Sequence, residues 1–298
     1  MTKPRHPAWS APLPGCGETL RLTTDRPKVM GVLNITPDSF SDGGLFHSDV
    51  PAAVARGLRM VEEGAEILDL GAESTRPGGG VYGEGCAEVS AELELERLLP
   101  VLKALRRELP KVALSIDTRK GSVARRALEH GADLINDVGG LRDPELVTAA
   151  ADAGCPVVAM HSRGELATMQ RQVAFEDVLA EVAAELGECL ERAERGGVPI
   201  GRVVLDPGIG FGKETAHNLS LIGGLDRLHD LGTPLLLGAS RKSFIAAVSP
   251  APPDRRLGGS LAAVAWAART GAAIVRVHDV EPTVQFLKVF YAIDSARS

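Results

Sequence analysis

The stretch LSIDTRKGSVARRALEHGADLINDVGG, residues 114–140, reads as a strand, a helix and a second strand in succession. The first apolar run stops at Asp117, a segment with the 3.6-residue period of a helix covers 119–131, and the second apolar run stops at Asn136. Strands that alternate with helices favour a parallel sheet. The stretch therefore predicts an α/β fold in which polar side chains sit where strands end.

The same arrangement repeats along the chain. Eight apolar runs each stop at a polar or glycine-bearing tip, and seven tips carry residues suited to holding a polar ligand. The tips are MGVLN (30–34), ILDLGAESTRPG (67–78), LSIDTR (114–119), LINDVGG (134–140), VVAMHSRG (157–164), VVLDPGIGFGK (203–213), LLLGASRKS (235–243) and IVRVHDV (274–280). The helix-period segments are 50–64, 87–109, 119–131, 143–154, 173–196, 215–231, 254–271 and 280–294. Eight strands and eight helices with polar strand exits predict a (β/α)8 TIM barrel, whose site lies at the carboxyl ends of its strands.

The barrel accounts for most of the chain. Residues 1–27 are interrupted by prolines and predict an irregular N-terminal arm, with at most a short strand at GETLRLTT. Residues 28–298 then form one barrel domain, because no internal boundary or repeat interrupts the alternation. A length of 298 residues suits a barrel of roughly 250 residues with extensions.

Composition excludes several classes of protein. A formal net charge of −6 argues against a nucleic-acid binder, which concentrates Lys and Arg. The four cysteines form no CxxC pair, so neither a zinc cluster nor a disulfide framework is indicated. The start lacks the apolar core of a signal peptide, and no run of about 18 apolar residues could span a bilayer. We expect a cytoplasmic protein without a membrane partner.

Three polar residues at strand ends suggest a site for a flat nitrogen heterocycle. Asp117, Asn136 and Asp206 each follow an apolar run directly, so they face the mouth of the predicted barrel. Two carboxylates and an amide around one cavity can accept and donate hydrogen bonds to an aminopyrimidine-like ring. The alternative for Asp117 is capping of the helix that follows it, and the spacing alone does not decide between the two.

Positive and amide side chains at neighbouring tips suggest an anion site. Arg276 and His278 lie two residues apart and point to the same side of their strand, and Arg76 lies at the tip of the second strand. An arginine fork matches phosphate oxygens. Asn34 ends the first strand, where it is either a ligand of Mg2+ arriving with phosphates or the start of an Asx turn.

The remaining motifs are weaker. LDPGIGFGK (205–213) has a GxGxG pattern without the features of a dinucleotide fold, and Lys213 is most simply exposed. In SRKS (240–243) Lys242 can contact a ring carbonyl or a carboxylate, while Arg241 is solvated or ion-paired. His161 fits a structural hydrogen-bond partner better than a catalyst. No Ser-His-Asp or Cys-His constellation stands out.

The assembled motifs resemble those of the dihydropteroate synthase family, the sulfonamide-inhibited enzymes of folate biosynthesis. The resemblance runs from about Val29 to Val280. It rests on MGVLNITPDSFSDGG, LDLGAESTRPG, SIDTRKGSVARRALEHGADLINDV, MHSRGELATMQ, LDPGIGFGK, LGASRKSFI, GSLAAVAWAARTGA and VRVHDV. It implies a homodimeric barrel transferase that joins p-aminobenzoate to 6-hydroxymethyl-7,8-dihydropterin pyrophosphate, with Mg2+ and with loss of pyrophosphate.

The resemblance also implies roles for individual residues. The pterin site would comprise Asp117, Asn136, Met160, Asp206, Gly210, Phe211 and Lys242. The pyrophosphate site would comprise Asn34, Arg76, Arg276 and His278, with Asn34 also at the metal. The p-aminobenzoate site would comprise Phe40, Thr75, Pro77 and Ser240. Catalysis would depend on Asp117, Lys242, Arg276 and His278.

Two other functions share the pterin pocket: a pterin-binding methyltransferase, and a non-catalytic paralogue that binds pterin. A methyltransferase has no use for a diphosphate site, so Arg76, Arg276 and His278 argue against it.

Overall fold

The computed structural model describes residues 9–13, 18–35, 50–73, 89–163 and 174–296. The strands are β1 (Trp9–Leu13), β2 (Glu18–Leu22), β3 (Lys28–Asn34), β4 (Ile67–Gly71), β5 (Ala113–Asp117), β6 (Leu134–Asp137), β7 (Val157–Met160), β8 (Val203–Asp206), β9 (Leu236–Leu237) and β10 (Ile274–Val277). The helices are α1 (Val50–Glu62), α2 (Ala91–Glu108), α3 (Gly121–Glu129), α4 (Pro144–Ala153), α5 (Val178–Arg195), α6 (Thr215–Gly223), α7 (Ser243–Val248), α8 (Leu257–Thr270) and α9 (Val280–Ser295).

Eight parallel strands form the predicted barrel. Their order is β8-β7-β6-β5-β4-β3-β10-β9, so the first barrel strand, β3, pairs with the last, β10. Between β8 and β9 the backbone N–H of Leu205 donates to the carbonyl of Pro234 at 2.9 Å, and a parallel bridge joins Leu205 to Leu235. These contacts connect the two ends of the sheet and confirm the TIM-barrel prediction.

The helices follow the predicted alternation with two differences. The segment 215–231 is not one helix, because α6 ends at Gly223 and a 3-10 segment, Leu225–Leu231, follows. The short helix α7, directly after the SRK tip, was not predicted. Within the described residues no helix is both long enough and apolar enough to cross a membrane.

The short strand predicted at GETLRLTT is confirmed as β2, but the described part of the arm is more regular than predicted, because β1 pairs with it. β1 and β2 pair antiparallel, from Trp9 opposite Leu22 to Leu13 opposite Glu18. In β1 burial alternates, with Trp9, Ala11 and Leu13 buried. These side chains pack against barrel residues at the amino ends of the strands, including Met30. The hairpin forms because one face of each strand has an apolar surface to cover.

Alternation along the barrel strands sorts side chains into two cores. One set faces the helices, as Leu68 and Leu70 of β4 do, and belongs to a large aliphatic cluster. The other set faces the barrel axis and begins with a layer that packs on the hairpin. That layer contains Met30, Ile67, Ala113, Leu134, Val158, Val204, Leu236 and Ile274. The amino end of the barrel is therefore closed by apolar packing, which leaves the carboxyl end for chemistry.

Candidate active site

Polar side chains replace apolar ones one step further along the inward face of the barrel. Residues two apart on a strand share a face, so the next inward positions after Ile67, Ala113, Leu134, Val204 and Ile274 are known from the sequence. They are Asp69, Ser115, Asn136, Asp206 and Arg276. The first four are all buried. The barrel thus carries a polar layer directly above its apolar floor.

Asp69 is the centre of this layer. Its carboxylate is completely buried and accepts three side-chain hydrogen bonds. Ser115 Oγ donates to Oδ1 at 2.6 Å, while Asn136 Nδ2 at 3.0 Å and Arg276 Nε at 2.6 Å donate to Oδ2. Because Asn136 uses an N–H toward Asp69, its carbonyl oxygen and second N–H remain for other partners. Asp69 therefore sets the orientation of the amide.

Arg276 is held by two carboxylates. Its Nε donates to Asp69, and its Nη2 donates to Asp117 Oδ2 at 2.7 Å. Burial lowers the pKa of Arg276, but Asp69 and Asp117 outweigh burial and raise it, so the guanidinium stays charged. A guanidinium has five N–H donors, so three remain beyond these two bonds. An arginine anchored in this way can hold an anion without losing its position.

The carboxyl groups of Asp117 and Asp206 are easier to protonate than ordinary aspartates, because the pKa of each is raised. Burial raises the pKa of Asp117 to about 7, with Arg276 lowering it and Asp69 raising it further. Burial also raises the pKa of Asp206, against the attraction of Lys242. A cationic ligand would relieve both shifts, because an opposite charge favours the ionised carboxylate. The layer is therefore suited to a ring that gains positive charge.

Asp206 and Arg276 lie side by side. A Cβ placed on Gly238, which follows β9, would be 3.6 Å from Asp206 Oδ2 and 3.8 Å from Arg276 Cβ. The absence of a side chain at Gly238 leaves these two residues open to each other. A carboxylate suited to binding a heterocycle and an arginine suited to binding an anion therefore lie in the same site.

The turn after β8 forms a wall beside Asp206. Asp206 Oδ1 accepts from the backbone N–H of Gly208 at 2.7 Å, and Lys242 Nζ donates to the carbonyl of Ile209. The Lys242 ammonium also lies 4.4 Å from the centre of the Phe211 ring. Burial lowers the pKa of Lys242 to about 8, against the attraction of Asp206. Lys242 therefore borders the pocket between Asp206 and the Phe211 ring.

The other predicted site residues fall around the same rim. Met160 and Phe211 are buried and pack with Val138 in a small apolar cluster. His278 contacts Ser240: its backbone N–H donates to Ser240 Oγ at 3.2 Å, and its Nδ1 lies 3.1 Å from the same oxygen. Gly210 has a φ of 80° and its Cβ position would be 3.1 Å from Lys242 Cδ, so a side chain there would crowd the lysine.

Asn34 is the last residue of β3 and is partly exposed. It shares the inward face of β3 with Met30, since the two lie four residues apart. Phe40, Thr75, Arg76 and Pro77 lie outside the described residues, so their predicted roles remain predictions.

Several local predictions can be compared with the structure directly. Asp117 does not cap a helix, because α3 begins at Gly121 with Lys120 as its N-cap and Asp117 binds Arg276. Arg241 is paired, since its Nε donates to Asp279 at 2.9 Å. That contact occupies Asp279, whose side chain makes no capping bond to α9.

Asp69 and Ser115 were missing from the predicted site. Both sit inside runs that look apolar, LDLG and LSID, and neither is at a strand tip. The available signal was the two-residue period, because each lies two positions from an inward apolar residue. Lys213 was misjudged as exposed: it is 5% exposed, and three partners surround its ammonium.

Comparisons with known proteins agree with this geometry. A family model described as "Pterin binding enzyme" matches residues 30–278. The dihydropteroate synthase of Escherichia coli (strain K12) is 45% identical over 276 residues, which are 93% of this chain and 95% of that relative. The crystal structure of Xanthomonas albilineans dihydropteroate synthase with 4-aminobenzoic acid has a TM-score of 0.84 at 45% identity and covers 98% of this chain and 99% of its own. The enzyme of the same organism in complex with 7,8-dihydropteroate has a TM-score of 0.80 at 40% identity, with 98% and 99% covered. This chain belongs to the family of pterin binding enzymes.

Proposed function

We infer that this chain is a dihydropteroate synthase, which condenses 6-hydroxymethyl-7,8-dihydropterin pyrophosphate with p-aminobenzoate to 7,8-dihydropteroate and pyrophosphate. The observation that carries the inference is the polar layer itself, in which Asp117, Asn136 and Asp206 surround an arginine fixed by two carboxylates. The same chain is similar to dihydropteroate synthases over nearly its whole length.

The pterin would bind against the acidic and amide side chains. Asp117 and Asp206 offer acceptors for the ring N–H and amino groups, and Asn136 offers its carbonyl and one N–H. Lys242 would leave the carbonyl of Ile209 to donate to a ring acceptor. Buried partners of this kind discriminate strongly, because a ligand that lacks one hydrogen bond leaves a polar group unpaired. Met160, Gly210 and Phe211 would cover the faces of the ring.

The diphosphate would bind on the cationic side. Arg276 retains donors beyond its two carboxylate bonds, and His278 lies two residues further on the same strand end. Arg76 would add a second guanidinium. The arrangement keeps the leaving group next to the pterin, because Arg276 is bonded to Asp117.

The reaction needs little covalent chemistry from the protein. The carbon–oxygen bond to the diphosphate breaks, and its electron pair leaves with the pyrophosphate. The lone pair of the neutral aryl amine then forms the new carbon–nitrogen bond, and the amine proton is released. Positive charge on the pterin is balanced by Asp117, while Arg276 and His278 stabilise the negative charge that develops on the leaving group.

Mg2+ fits the diphosphate side. Asn34 supplies an amide oxygen at a partly exposed strand end, and Mg2+ prefers oxygen ligands and usually keeps several waters. Among the residues the structure describes, no group of three or more His, Cys, Asp or Glu could hold a metal. The described residues therefore fit a mode of Mg2+ binding in which Asn34 and the substrate phosphates hold the cation. When bound, it would supply charge neutralisation at the diphosphate.

The p-aminobenzoate site is proposed beside this rim, formed by Phe40, Thr75, Pro77 and Ser240. Ser240 already contacts His278, which brings this site next to the diphosphate. The amine would then approach the pterin carbon from the side that the leaving group vacates.

We also propose a cytoplasmic homodimer. Three exposed apolar side chains, Leu219, Val248 and Trp266, lie on α6, α7 and α8, which pack together. Exposed apolar side chains on neighbouring helices are suited to covering by a second copy. Light scattering coupled to size exclusion would give twice the 31.3 kDa chain mass for a dimer.

Two measurements test the function. Calorimetric titration measures binding of the pterin pyrophosphate, and a coupled assay measures its condensation with p-aminobenzoate, with and without Mg2+. We expect binding and Mg2+-dependent turnover. Binding without turnover would indicate the non-catalytic paralogue. Pterin binding that is indifferent to the diphosphate would favour a methyltransferase.

A further inference from the structure

We propose that Lys213, a buried lysine outside the predicted ligand-contacting residues, is a positioning residue for the pterin pocket. Its ammonium donates to carbonyls of the turn 207–212. Phe211 and Gly210 therefore stay in place as the pocket wall when Lys242 moves to the ligand. The inference rests on the proposed function, since it concerns the same pterin site.

The contacts of Lys213 account for all of its donors. Nζ lies 3.0 Å from the carbonyl of Gly208, 3.0 Å from the carbonyl of Phe211 and 2.8 Å from Nδ1 of His161. An ammonium group has three N–H donors and no acceptor, so each hydrogen meets one acceptor. Two of these acceptors belong to the turn after β8, and the third belongs to the end of β7.

The histidine partner is itself fixed. His161 is 2% exposed, and its Nε2 lies 3.0 Å from Glu185 Oε2. Because Nδ1 accepts from Lys213, the proton of a neutral ring is on Nε2 and is donated to Glu185. Arg163 Nε donates to the other oxygen of Glu185 at 2.7 Å. Lys213 is thus connected through His161 to α5, which anchors the turn to the outer layer of the barrel.

The turn needs such an anchor because its backbone is unusually free. Gly208 and Gly210 have positive φ values of 67° and 80°, a region that glycine adopts without strain. A Cβ on Gly208 would collide with the carbonyl of His161, so the turn lies directly against the end of β7. A chain this flexible keeps one conformation only when other groups hold its carbonyls.

Two lysines donate to different carbonyls of the same turn. Lys242 donates to the carbonyl of Ile209, and Lys213 donates to the carbonyls of Gly208 and Phe211. If Lys242 leaves Ile209 for the pterin, the bonds of Lys213 remain, together with the bond from Gly210 N–H to Asn218 Oδ1 at 2.7 Å. Lys213 therefore keeps the wall in place during binding.

Burying a lysine here is costly. Burial lowers the pKa of Lys213 to about 7; Asp206 and Glu185 raise it, while Lys242 and Arg163 lower it further. A group that folding makes harder to charge destabilises the folded state when it is charged. The three hydrogen bonds of the Lys213 ammonium oppose this cost.

The test compares Lys213→Met with Lys103→Met, which removes an exposed lysine on α2 in the same way. We measure the Kd of the pterin pyrophosphate by calorimetry and the KM of p-aminobenzoate at saturating pterin. For K213M we expect the Kd to rise about tenfold, with the KM of p-aminobenzoate within about twofold of wild type, since preorganisation of the pterin wall is lost. K103M should leave both values unchanged.

A double-mutant cycle tests whether Lys213 acts through the turn. In the Phe211→Ala background, K213M should change the pterin Kd by less than about threefold, because the wall it positions has been removed. Equal effects of K213M in both backgrounds would overturn the proposal. So would a Kd within twofold of wild type, or equal losses in pterin affinity and p-aminobenzoate KM.

If K213M does not fold, His161→Leu carries the test. It removes one of the three acceptors and should raise the pterin Kd about threefold without changing the KM of p-aminobenzoate. An unchanged Kd would overturn the proposal. Wild-type protein that does not bind the pterin pyrophosphate would overturn the proposed function together with this inference, whereas normal wild-type binding and an unaffected K213M would overturn the inference alone.

Discussion

Replacing Asp69 should reduce stability and activity more than replacing any other single residue that contacts the site. Asp69→Ala removes the acceptor for Ser115, Asn136 and Arg276 at once. All three bonds are to a carboxylate, and a hydrogen bond to a charged group contributes about 1.5–3 kcal/mol, so the loss is about 5–9 kcal/mol. At about 2.1 cal/mol/K of unfolding entropy per residue, that corresponds to a decrease in Tm of about 8–14 °C.

Activity should fall as well, because Asn136 and Arg276 lose the group that orients them. Misplacement of binding groups by about 1 Å can cost about 100-fold in rate, and we expect a loss of that order in kcat/KM for D69A. Asp69→Asn keeps the shape and one acceptor oxygen but removes the charge, so it should cost about 1–2 kcal/mol and about tenfold in kcat/KM.

Ser115→Ala is the matched control. It removes one hydrogen bond to the carboxylate and leaves the carboxylate with both of its other partners, so kcat/KM should stay within about threefold of wild type. The assays are thermal unfolding and steady-state condensation kinetics for all three variants. If D69A behaves like S115A in both assays, Asp69 does not organise the rim and the reasoning is refuted.

Three further predictions concern the ligand-facing residues. Arg276→Ala should lower kcat far more than pterin affinity, because its contact strengthens as charge develops on the leaving group; equal losses in single-turnover rate and calorimetric Kd would contradict this. Asp206→Asn should weaken pterin binding, and an unchanged Kd would mean that its bond to Gly208 is its main role. The pH profile of kcat/KM should fall below about pH 7 as Asp117 becomes protonated, and above about pH 8 as Lys242 loses its proton. D69N should shift the acidic limb to lower pH, because Asp69 raises the pKa of Asp117; an unmoved limb would show that another group titrates.

The barrel could be predicted from sequence because its signals are local. Each strand ends at a tip that breaks the apolar run, as at Asp117, and each helix has its own period. In the N-terminal hairpin only β2 was predicted, as the short strand at GETLRLTT, and β1 gave no comparable signal. β1 contains Pro12 and is only five residues long, and its apolar face has a partner only once the barrel floor exists.

The site residues at the ends of strands were predicted from the sequence, whereas those within strands were missed. Asp117, Asn136 and Asp206 each follow an apolar run, which identifies them as residues at strand ends. Asp69 lies within an apolar run and is not identified in this way. Its role depends on partners from β5, β6 and β10, which only the closed barrel brings together. Lys213 follows a turn with glycines at positive φ, where no helix or strand period fixes the direction of the next side chain. Its burial therefore had no sequence signature.

The central claim is that one rim holds both the pterin and its diphosphate. A crystal structure of the protein with bound 6-hydroxymethyl-7,8-dihydropterin pyrophosphate tests it most directly. We predict the ring between Asp117, Asn136 and Asp206, the diphosphate on Arg276 and His278, and Lys242 released from the carbonyl of Ile209. A ring bound elsewhere, or a diphosphate out of reach of Arg276, would contradict the account.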